Sequence, residues 1–275
     1  MKAKKAELIL LGITAIWGST FPVMKVGLEG IPPVTFITYR FALATLLLLI
    51  IFRQRIASRE VMLKGFVLGV TLFFGHGFQI IGLKYTTASN SAFITSLYVV
   101  FTPFVAYALL NRRVDKRDVI SLILALVGLY LISGATLRLN YGDLLTVFAA
   151  ISFAFQIVLV ERFSGGEVSL AFWQVFWNFI LSLTYALLFE GLTVPTSSIS
   201  WFGILYTATF ATAIAFTLQM RYQPFVAAHR AALIYSAEPL FGHVASFITL
   251  GEVLDPWGYL GAVLILVAVW NELRE

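Results

Sequence analysis

The sequence predicts an all-α membrane protein, with ten transmembrane helices arranged as two inverted five-helix repeats. Three observations predict this fold class: the composition, the number of apolar segments, and a similarity between the two halves of the chain. Apolar residues make up 60% of the 275 positions and charged residues only 12%, whereas about a quarter of a soluble domain is charged. A spanning helix needs about 20 apolar residues, so the chain has room for about ten spans and no sizeable soluble domain.

Ten apolar segments follow one another along the chain, separated by short breaks that contain charged residues, Pro or Gly. Their lengths favour helices, because a membrane-spanning strand needs only about ten residues. The first segment continues past the length of a signal-peptide core without a small-residue cleavage pattern, so we expect it to be retained as a span. The predicted spans, numbered one to ten, cover residues 6–28, 33–52, 62–83, 87–110, 118–135, 143–162, 169–190, 199–220, 226–250 and 256–272.

The distribution of basic residues predicts the orientation. With the N-terminus in the cytoplasm, 15 of the 19 Lys and Arg residues fall in cytoplasmic segments and only Lys84 and Arg138 fall outside, as the positive-inside rule requires. Lys25 and Arg40 lie within predicted spans. The sequence therefore predicts a multi-pass protein of the plasma membrane with both termini cytoplasmic. This topology also accounts for the net charge of +5, and no nucleic-acid partner is predicted.

The two halves of the chain are similar to each other. Residues 88–101 match residues 228–241 at five positions, an offset of 140 residues. Nearer the front of each half the offset is 136, which pairs Trp17 with Phe153. Because each half holds an odd number of spans, the two halves must have opposite orientations in the membrane. The predicted repeats are residues 1–136 and 141–275.

Several short motifs occur in order along nearly the whole chain: WGSTFPVMK at 17–25, TYRF at 38–41, KYTTASNSAFITSLYVVFTPF at 84–104, GLYLISG at 128–134, GD at 142–143, EPLF at 238–241 and GE at 251–252. Together they resemble the EamA branch of the drug/metabolite transporter superfamily. The resemblance implies a ten-helix exporter or permease of small metabolites, with two inverted halves around a central cavity. In the first half, Asn111 and Arg112 stand where the family usually has Gly-Glu, so only Glu252 can supply that acid.

A polar stripe in span four marks a helix face that avoids lipid. Its members recur every three or four residues and so share one face: Ser91, Thr95, Tyr98 and Thr102. The equivalent positions in span nine include Tyr235 and Glu238. We therefore expect a central cavity lined in part by spans one, three, four, six, eight and nine, with Tyr98 and Glu238 near equivalent positions.

Glu238 is the one acid that the sequence places deep in a span, about 15 Å from its start. An ionised carboxylate at that depth costs at least about 3 kcal/mol, so it should be paired, hydrated or protonated. One interpretation is a site for a substrate amine or a proton. The other is a structural hydrogen-bonding group beside Pro239, which cannot donate to the Tyr235 carbonyl.

Other polar side chains in the spans are candidates for the substrate pathway. His76 and Gln79 share a face of span three, and His243 lies in span nine; either histidine could instead hydrogen-bond a neighbouring helix. Arg40 lies about 10 Å into span two, where it could bind a substrate carboxylate or anchor at the interface. In span seven a stripe of Gln174, Asn178 and Ser182, beside Trp173 and Trp177, predicts a cavity wall.

Span one carries an unusual polar second half, WGSTFPVMK. Pro22 cannot donate to the Gly18 carbonyl, so we expect a kink there and a protein-buried or hydrated surrounding for that carbonyl. Trp17, Thr20 and Met24 would then form a gate along the cavity, with Phe153, Gln156 and Val160 at the matching positions of span six. Lys25 is expected to reach the interface or pair with Glu29.

These features predict a secondary transporter that exports small metabolites by alternating access, with amino acids as the leading substrate class. A multidrug-type efflux permease is the alternative, and a membrane-embedded enzyme or receptor is a weaker one, because no loop is long enough for a soluble active site. No phosphate-binding loop of the G-x-x-x-x-G-K-[ST] type occurs, so a gradient would drive transport, with protons as the candidate coupling ion. No cofactor, metal site or catalytic residue is predicted, and the sequence leaves the oligomeric state open.

Overall fold

The computed structural model describes residues 2–52, 59–113, 115–133, 140–163, 169–250 and 253–273, and this part of the chain is helical without a strand. Glu252 of the GE motif and Arg138 of the topology argument lie outside the described residues. The α-helices are α1 (Lys2–Gly27), α2 (Pro33–Phe52), α3 (Arg59–Tyr85), α4 (Ala88–Ser96), α5 (Tyr98–Leu110), α6 (Lys116–Ser133), α7 (Tyr141–Phe163), α8 (Ser169–Tyr185), α9 (Ser198–Tyr206), α10 (Ala215–Tyr222), α11 (Ala228–Tyr235), α12 (Glu238–Leu250) and α13 (Pro256–Leu273).

Eight helical stretches of the described chain are long and apolar enough to cross a membrane, which supports the membrane class. They correspond to spans one to four and six to nine. Two shorter apolar helical stretches, Asp118–Leu131 and Pro256–Asn271, fall at predicted spans five and ten. The count of ten spans therefore stays a prediction at these two places.

Spans seven and eight are not uniform α-helices. After α8 the chain continues as a π-helical turn, Ala186–Glu190, and α9 and α10 are joined by a π-helical segment, Thr207–Ile214. A 3₁₀ turn, Gln223–Phe225, follows α10. Wider π turns shift side chains around the helix axis and are frequent at functional sites.

Spans four and nine are each broken into two half-helices, a feature that hydropathy did not predict. At the first break Leu97 N–H donates to the Ile94 carbonyl at 3.1 Å, and at the second Ala237 N–H donates to the Ile234 carbonyl at 3.2 Å. These i to i−3 bonds tighten the backbone into a 3₁₀ turn. Pro239 accounts for the second break, because it cannot donate to the Tyr235 carbonyl. The structure offers no comparable cause for the break at Leu97.

Helix α1 continues through Pro22 to Gly27, and its close packing explains how the chain tolerates that proline. A Cβ on Gly18 would lie 2.8 Å from the amide nitrogen of Gly242 and would clash with the Glu238 carbonyl oxygen. The backbone around Gly18 is therefore covered by α12, so its carbonyl faces protein and not lipid. Glycine is required at this position by the approach of the two helices.

Lys25 does not bind where the sequence suggested. Its Nζ donates to the carbonyls of Leu83 and Thr86 at 2.7 and 2.8 Å, rather than to the Glu29 carboxylate. The last carbonyls of a helix lack partners within the helix and carry its negative dipole end. Lys25 therefore caps the end of α3 and holds it against α1.

The GD motif positions the start of α7. Asp143 N–H donates to Asn140 Oδ1 at 2.9 Å, while Asn140 N–H donates to Asp143 Oδ2 at 3.0 Å, a reciprocal cap of the helix start. Thr86 donates its hydroxyl to the other oxygen of Asp143 at 2.6 Å. A Cβ on Gly142 would lie 2.5 Å from the Gly82 carbonyl oxygen, so this glycine allows α3 and α7 to touch.

Candidate functional site

Side chains from both halves of the chain line a cavity that encloses about 550 Å³ of empty space, counted with its opening. The wall is formed by α1, α2, α3, α4, α5, α7, α10, α11 and α12. Ten of the 13 predicted pathway residues belong to it: Trp17, Thr20, Arg40, His76, Gln79, Thr95, Tyr98, Gln156, Tyr235 and Glu238. Seven further residues complete it: Phe21, Met24, Leu72, Phe153, Ile157, Phe216 and Gln219.

Trp177 and Asn178 lie outside the cavity wall, contrary to the expectation for span seven. The polar stripe of α8 packs against α3, where a Cβ on Gly69 would lie 2.5 Å from Trp177 Cβ and 3.3 Å from the Asn178 amide nitrogen. The Trp177 ring meets the Phe66 ring edge-on at 5.2 Å. A polar stripe that avoids lipid can therefore face a neighbouring helix. Here Gly69 on α3 has no side chain, which allows α8 to pack closely against it.

His243 also lies outside the wall, although it shares α12 with Glu238. The two residues are five positions apart, which places their side chains about 140° apart around the helix axis. His243 is partly exposed and has other contacts. The depth of His243 in span nine led to its prediction as a substrate-pathway residue. Its position around the helix axis places its side chain away from the cavity.

Glu238 and Tyr98 meet in the cavity wall. Tyr98 Oη donates to Glu238 Oε2 at 3.2 Å, and the two side chains are 4% and 7% exposed, respectively. Each is the first residue of the second half of a broken helix. Within the described residues no Lys, Arg or His forms an ion pair with Glu238. The carboxyl group thus faces the cavity with one neutral partner.

Arg40 is the cationic member of the wall. Its Nε donates to Thr212 Oγ1 at 2.8 Å, and its Nη1 lies 3.6 Å from Met24 Sδ. Thr212 belongs to the π-helical segment of span eight and donates its own hydroxyl to the Thr207 carbonyl at 2.9 Å. Arg40 as a whole is 3% exposed, and in the described part of the chain no carboxylate lies within ion-pair distance of its guanidinium group. Most of its five N–H donors are therefore available to a ligand.

His76 is held by its own helix and by aromatic rings. Its Nδ1 lies 2.9 Å from the Leu72 carbonyl oxygen, an acceptor, so in the neutral ring Nδ1 carries the proton and Nε2 is left with its lone pair. The rings of Phe41 and Phe153 meet it edge-on at 5.2 and 5.1 Å. In the next turn of α3, Gln79 Nε2 donates to Thr95 Oγ1 at 3.2 Å.

Trp17 connects α1 to span eight. Its indole N–H donates to the Ala211 carbonyl at 2.9 Å, in the π-helical segment, and its ring lies 5.2 Å from the Tyr235 ring and 5.9 Å from the Phe216 ring. Thr20 donates its hydroxyl to the Trp17 carbonyl at 2.6 Å. The indole N–H is therefore occupied by the backbone of span eight.

Two glutamines were missed by sequence reasoning. Gln219 lines the cavity and Gln223 supports it from behind, where Gln223 accepts a hydrogen bond from Gln219 Nε2 at 2.8 Å. Their spacing of four residues near the end of span eight puts both on one helix face. This spacing of two glutamines, together with Gln156 in span six, is the sequence pattern that could have predicted their position at the cavity.

Charged contacts hold the start of span nine at the side predicted to be cytoplasmic. His229 Nε2 lies 3.1 Å from Asp118 Oδ2, and Arg230 Nη2 lies 4.0 Å from Glu7 Oε1. Glu161 accepts from the Ala228 amide at 2.6 Å and lies 3.4 Å from Arg112 Nη2. These contacts tie α11 to α1, α6 and α7. At the other side, Lys25 and Asp143 hold the segment before α4.

A membrane-embedded helical bundle around a buried, charge-bearing cavity is the architecture of a carrier for small molecules. The model of the EamA-like transporter family matches residues 4–134 and again residues 140–271. The chain therefore belongs to this family, which confirms the resemblance seen in the motifs. The family is one of transporters, not of enzymes.

Relatives cover nearly the whole chain. An "Uncharacterized transporter" of Archaeoglobus fulgidus is 40% identical over 98% of this chain and 86% of its own length. A "Probable amino-acid metabolite efflux pump" of Salmonella typhimurium is 25% identical over 98% of this chain and 94% of its own. A solved structure described as "Crystal structure of protein" is similar with a TM-score of 0.77 at 16% identity, over 97% of this chain and 96% of that one, a likeness of fold alone.

Proposed function

We propose that this protein is a secondary transporter that moves small zwitterionic metabolites, with amino acids as the leading class, out of the cell by alternating access. One observation carries the proposal. Arg40 and Glu238 are both buried in the wall of one cavity, and neither has a partner of opposite charge in the described chain. Unpaired buried charges are costly, and a ligand bearing both charges would neutralise the two together.

Arg40 and the backbone of Glu238 contact α1 at different levels. Arg40 lies against Met24, and the Glu238 backbone packs against Gly18; six residues of α1 separate these contacts, or about 9 Å. A zwitterion carries its two charges on different atoms and would therefore contact the two side chains with different ends.

The name of one relative supports the same substrate class. The Salmonella typhimurium protein is called a probable amino-acid metabolite efflux pump, and it aligns with this chain over almost its full length. A multidrug-type permease is the second candidate, because Trp17, Phe153 and Phe216 offer aromatic surface next to Glu238, as a lipophilic cation would require. Arg40 argues against it, since a buried guanidinium repels a second cation.

We further propose ten spans as two inverted repeats, residues 1–136 and 141–275, in the plasma membrane with both termini cytoplasmic. Equivalent contacts support this architecture. Lys25 and Glu161, 136 residues apart, hold the starts of spans four and nine respectively. Val100 N–H donates to the Leu97 carbonyl at 2.9 Å, and 140 residues later Leu240 N–H donates to the Ala237 carbonyl at 3.1 Å.

Alternating access would proceed by loosening one set of end contacts at a time. The contacts of His229 with Asp118 and of Arg230 with Glu7 hold span nine at one side, while Lys25 and Asp143 hold the segment before span four at the other. Protons are the candidate coupling ion, with Glu238 as their binding group, since protonation would remove the buried charge in the empty carrier.

Counterflow in proteoliposomes tests the proposed function. Vesicles that contain the purified protein and an unlabelled amino acid mixture should accumulate labelled amino acids, and vesicles without protein should not. Glu238→Gln keeps an oxygen that accepts from Tyr98 while it removes the charge, so flux should collapse although the protein folds. Accumulation of a lipophilic cation instead of amino acids would favour the multidrug alternative and contradict the proposal.

A further inference from the structure

Four buried glutamines form a connected group at one end of the cavity: Gln156 of α7, Gln174 of α8, Gln219 of α10 and Gln223 of the 3₁₀ turn. They are 3%, 0%, 0% and 0% exposed, respectively. Gln156 and Gln219 belong to the cavity wall, and the other two lie behind them. All four side chains are neutral, and each carboxamide offers two N–H donors and one oxygen acceptor.

The rear of this glutamine group is firmly held. Gln223 Nε2 donates to the Ile157 carbonyl at 2.7 Å, and Gln223 Oε1 accepts from Gln219 Nε2 at 2.8 Å and from Tyr235 Oη at 3.2 Å. These distances are those of ordinary hydrogen bonds. Gln223 therefore fixes the position from which Gln219 faces the cavity.

The front of the group is loosely held. Gln156 Nε2 lies 3.3 Å from Gln219 Oε1 and 3.4 Å from Gln174 Oε1, and Gln219 Nε2 lies 3.4 Å from Gln156 Oε1. These three bonds exceed the usual range of 2.7–3.2 Å. Gln174 Nε2 is buried and has no hydrogen-bond partner among the described residues. The carboxamide of Gln156 can thus exchange weak internal bonds for better ones to a ligand.

We propose that Gln156 and Gln219 determine side-chain specificity, by favouring substrates whose side chain both donates and accepts hydrogen bonds, a carboxamide above all. The inference rests on the proposed function, with Arg40 and Glu238 binding the two charges of the substrate. A neutral site that hydrogen-bonds its ligand discriminates against an isostere without those groups, because its own polar atoms are then left unpaired. The aromatic rings of the cavity wall pack against one another: Trp17 against Phe216 and Tyr235, and His76 against Phe153, with ring centroids 5.1–5.9 Å apart.

Competition between matched amino acids tests this inference. In counterflow, glutamine should be preferred over methionine, and asparagine over leucine, because each pair has similar size and differs in hydrogen bonding. A neutral hydrogen bond corresponds to about threefold to tenfold in affinity. We therefore expect a preference of at least about threefold in the wild-type protein, which requires no variant to fold.

Two variants locate the preference. Gln156→Met and Gln219→Met keep side-chain length and remove the hydrogen bonds, so the glutamine-to-methionine ratio should fall to about one. Asn178→Leu is the matched control, because it removes a fully buried carboxamide outside the cavity wall whose nitrogen and oxygen have no hydrogen-bond partner in the part of the chain that the structure describes. The ratio should stay at the wild-type value. A purely structural role would lower flux of both substrates equally and leave the ratio unchanged.

The outcomes separate this inference from the proposed function. Transport of amino acids without a polar preference, or a preference that persists in both Gln→Met variants, would overturn the role of Gln156 and Gln219 and leave the zwitterion site standing. If no zwitterion is exchanged by the wild-type protein, the proposed function fails and this inference fails with it.

Discussion

At the residue scale, Arg40 is the position at which the proposed function and the stability of the protein would oppose each other. Its buried guanidinium has Thr212 and Met24 as neighbours and no carboxylate partner in the described chain. Such an arrangement costs free energy in the empty protein, because desolvation of the charge is not repaid by an ion pair. In the proposed function, the carboxylate of the substrate would supply the missing partner.

Replacing Arg40 by Met should therefore stabilise the protein and stop zwitterion transport. We expect the free energy of unfolding to rise by about 1 kcal/mol or more, seen as a higher thermal midpoint in detergent, while amino acid counterflow falls to background. Arg40→Lys is the control that keeps the charge and loses the forked geometry. A clear loss of stability in Arg40→Met would show that the arginine braces the helices instead.

At the scale of elements, the two broken spans are the features most suited to movement. Both breaks contain a backbone hydrogen bond from residue i to residue i−3, donated by Leu97 in one and by Ala237 in the other. Both also place a cavity side chain directly after the break. A 3₁₀ turn in the middle of a helix often marks a hinge. The Tyr98 to Glu238 hydrogen bond then links the two hinges across the cavity.

Pro239→Ala tests the hinge in span nine. Alanine restores the N–H donor for the Tyr235 carbonyl and favours a continuous helix, so we expect counterflow to slow by at least about threefold with no loss of thermal stability. Pro103→Ala is the control, because Pro103 lies inside α5 away from the break, and its turnover should change little. Equal rates for wild type and Pro239→Ala would contradict the hinge.

At the scale of the whole molecule, the sequence predicted the membrane class and most of the cavity wall for physical reasons. The 140-residue offset brought Tyr98 and Glu238 to equivalent positions, and their side chains are in contact. Asn178 lies against α3 and not in the cavity wall, because a polar stripe shows that a helix face avoids lipid and not whether a cavity or another helix covers it. The breaks in spans four and nine were not predicted, because hydropathy does not depend on which carbonyl a backbone amide binds. Pro239 was the one residue in the sequence that indicated a break, the one in span nine.

Topology can be tested across the whole chain, which has no cysteine. Lys84 is exposed at the end of α3, and Lys116 is exposed at the start of α6, with span four between them. Lys84→Cys should react with a membrane-impermeant maleimide in intact cells, and Lys116→Cys only after permeabilisation. Labelling of both from the same side would contradict the passage of α4 and α5 through the membrane.

The central claim is that Arg40 binds the carboxylate of the substrate and Glu238 binds its ammonium group. The most direct measurement is a binding assay on the purified protein, read as the shift in thermal midpoint that a ligand causes, because it requires no flux from a variant. It crosses two variants with two substrate analogues, one amidated at the carboxylate and one acetylated at the nitrogen. The wild-type protein should be stabilised by the zwitterion and by neither analogue. We predict that Arg40→Met loses discrimination against the amidated analogue only, and Glu238→Gln against the acetylated one only. Stabilisation of the wild type by both analogues as strongly as by the zwitterion would contradict the assignment of Arg40 and Glu238 to the two charges.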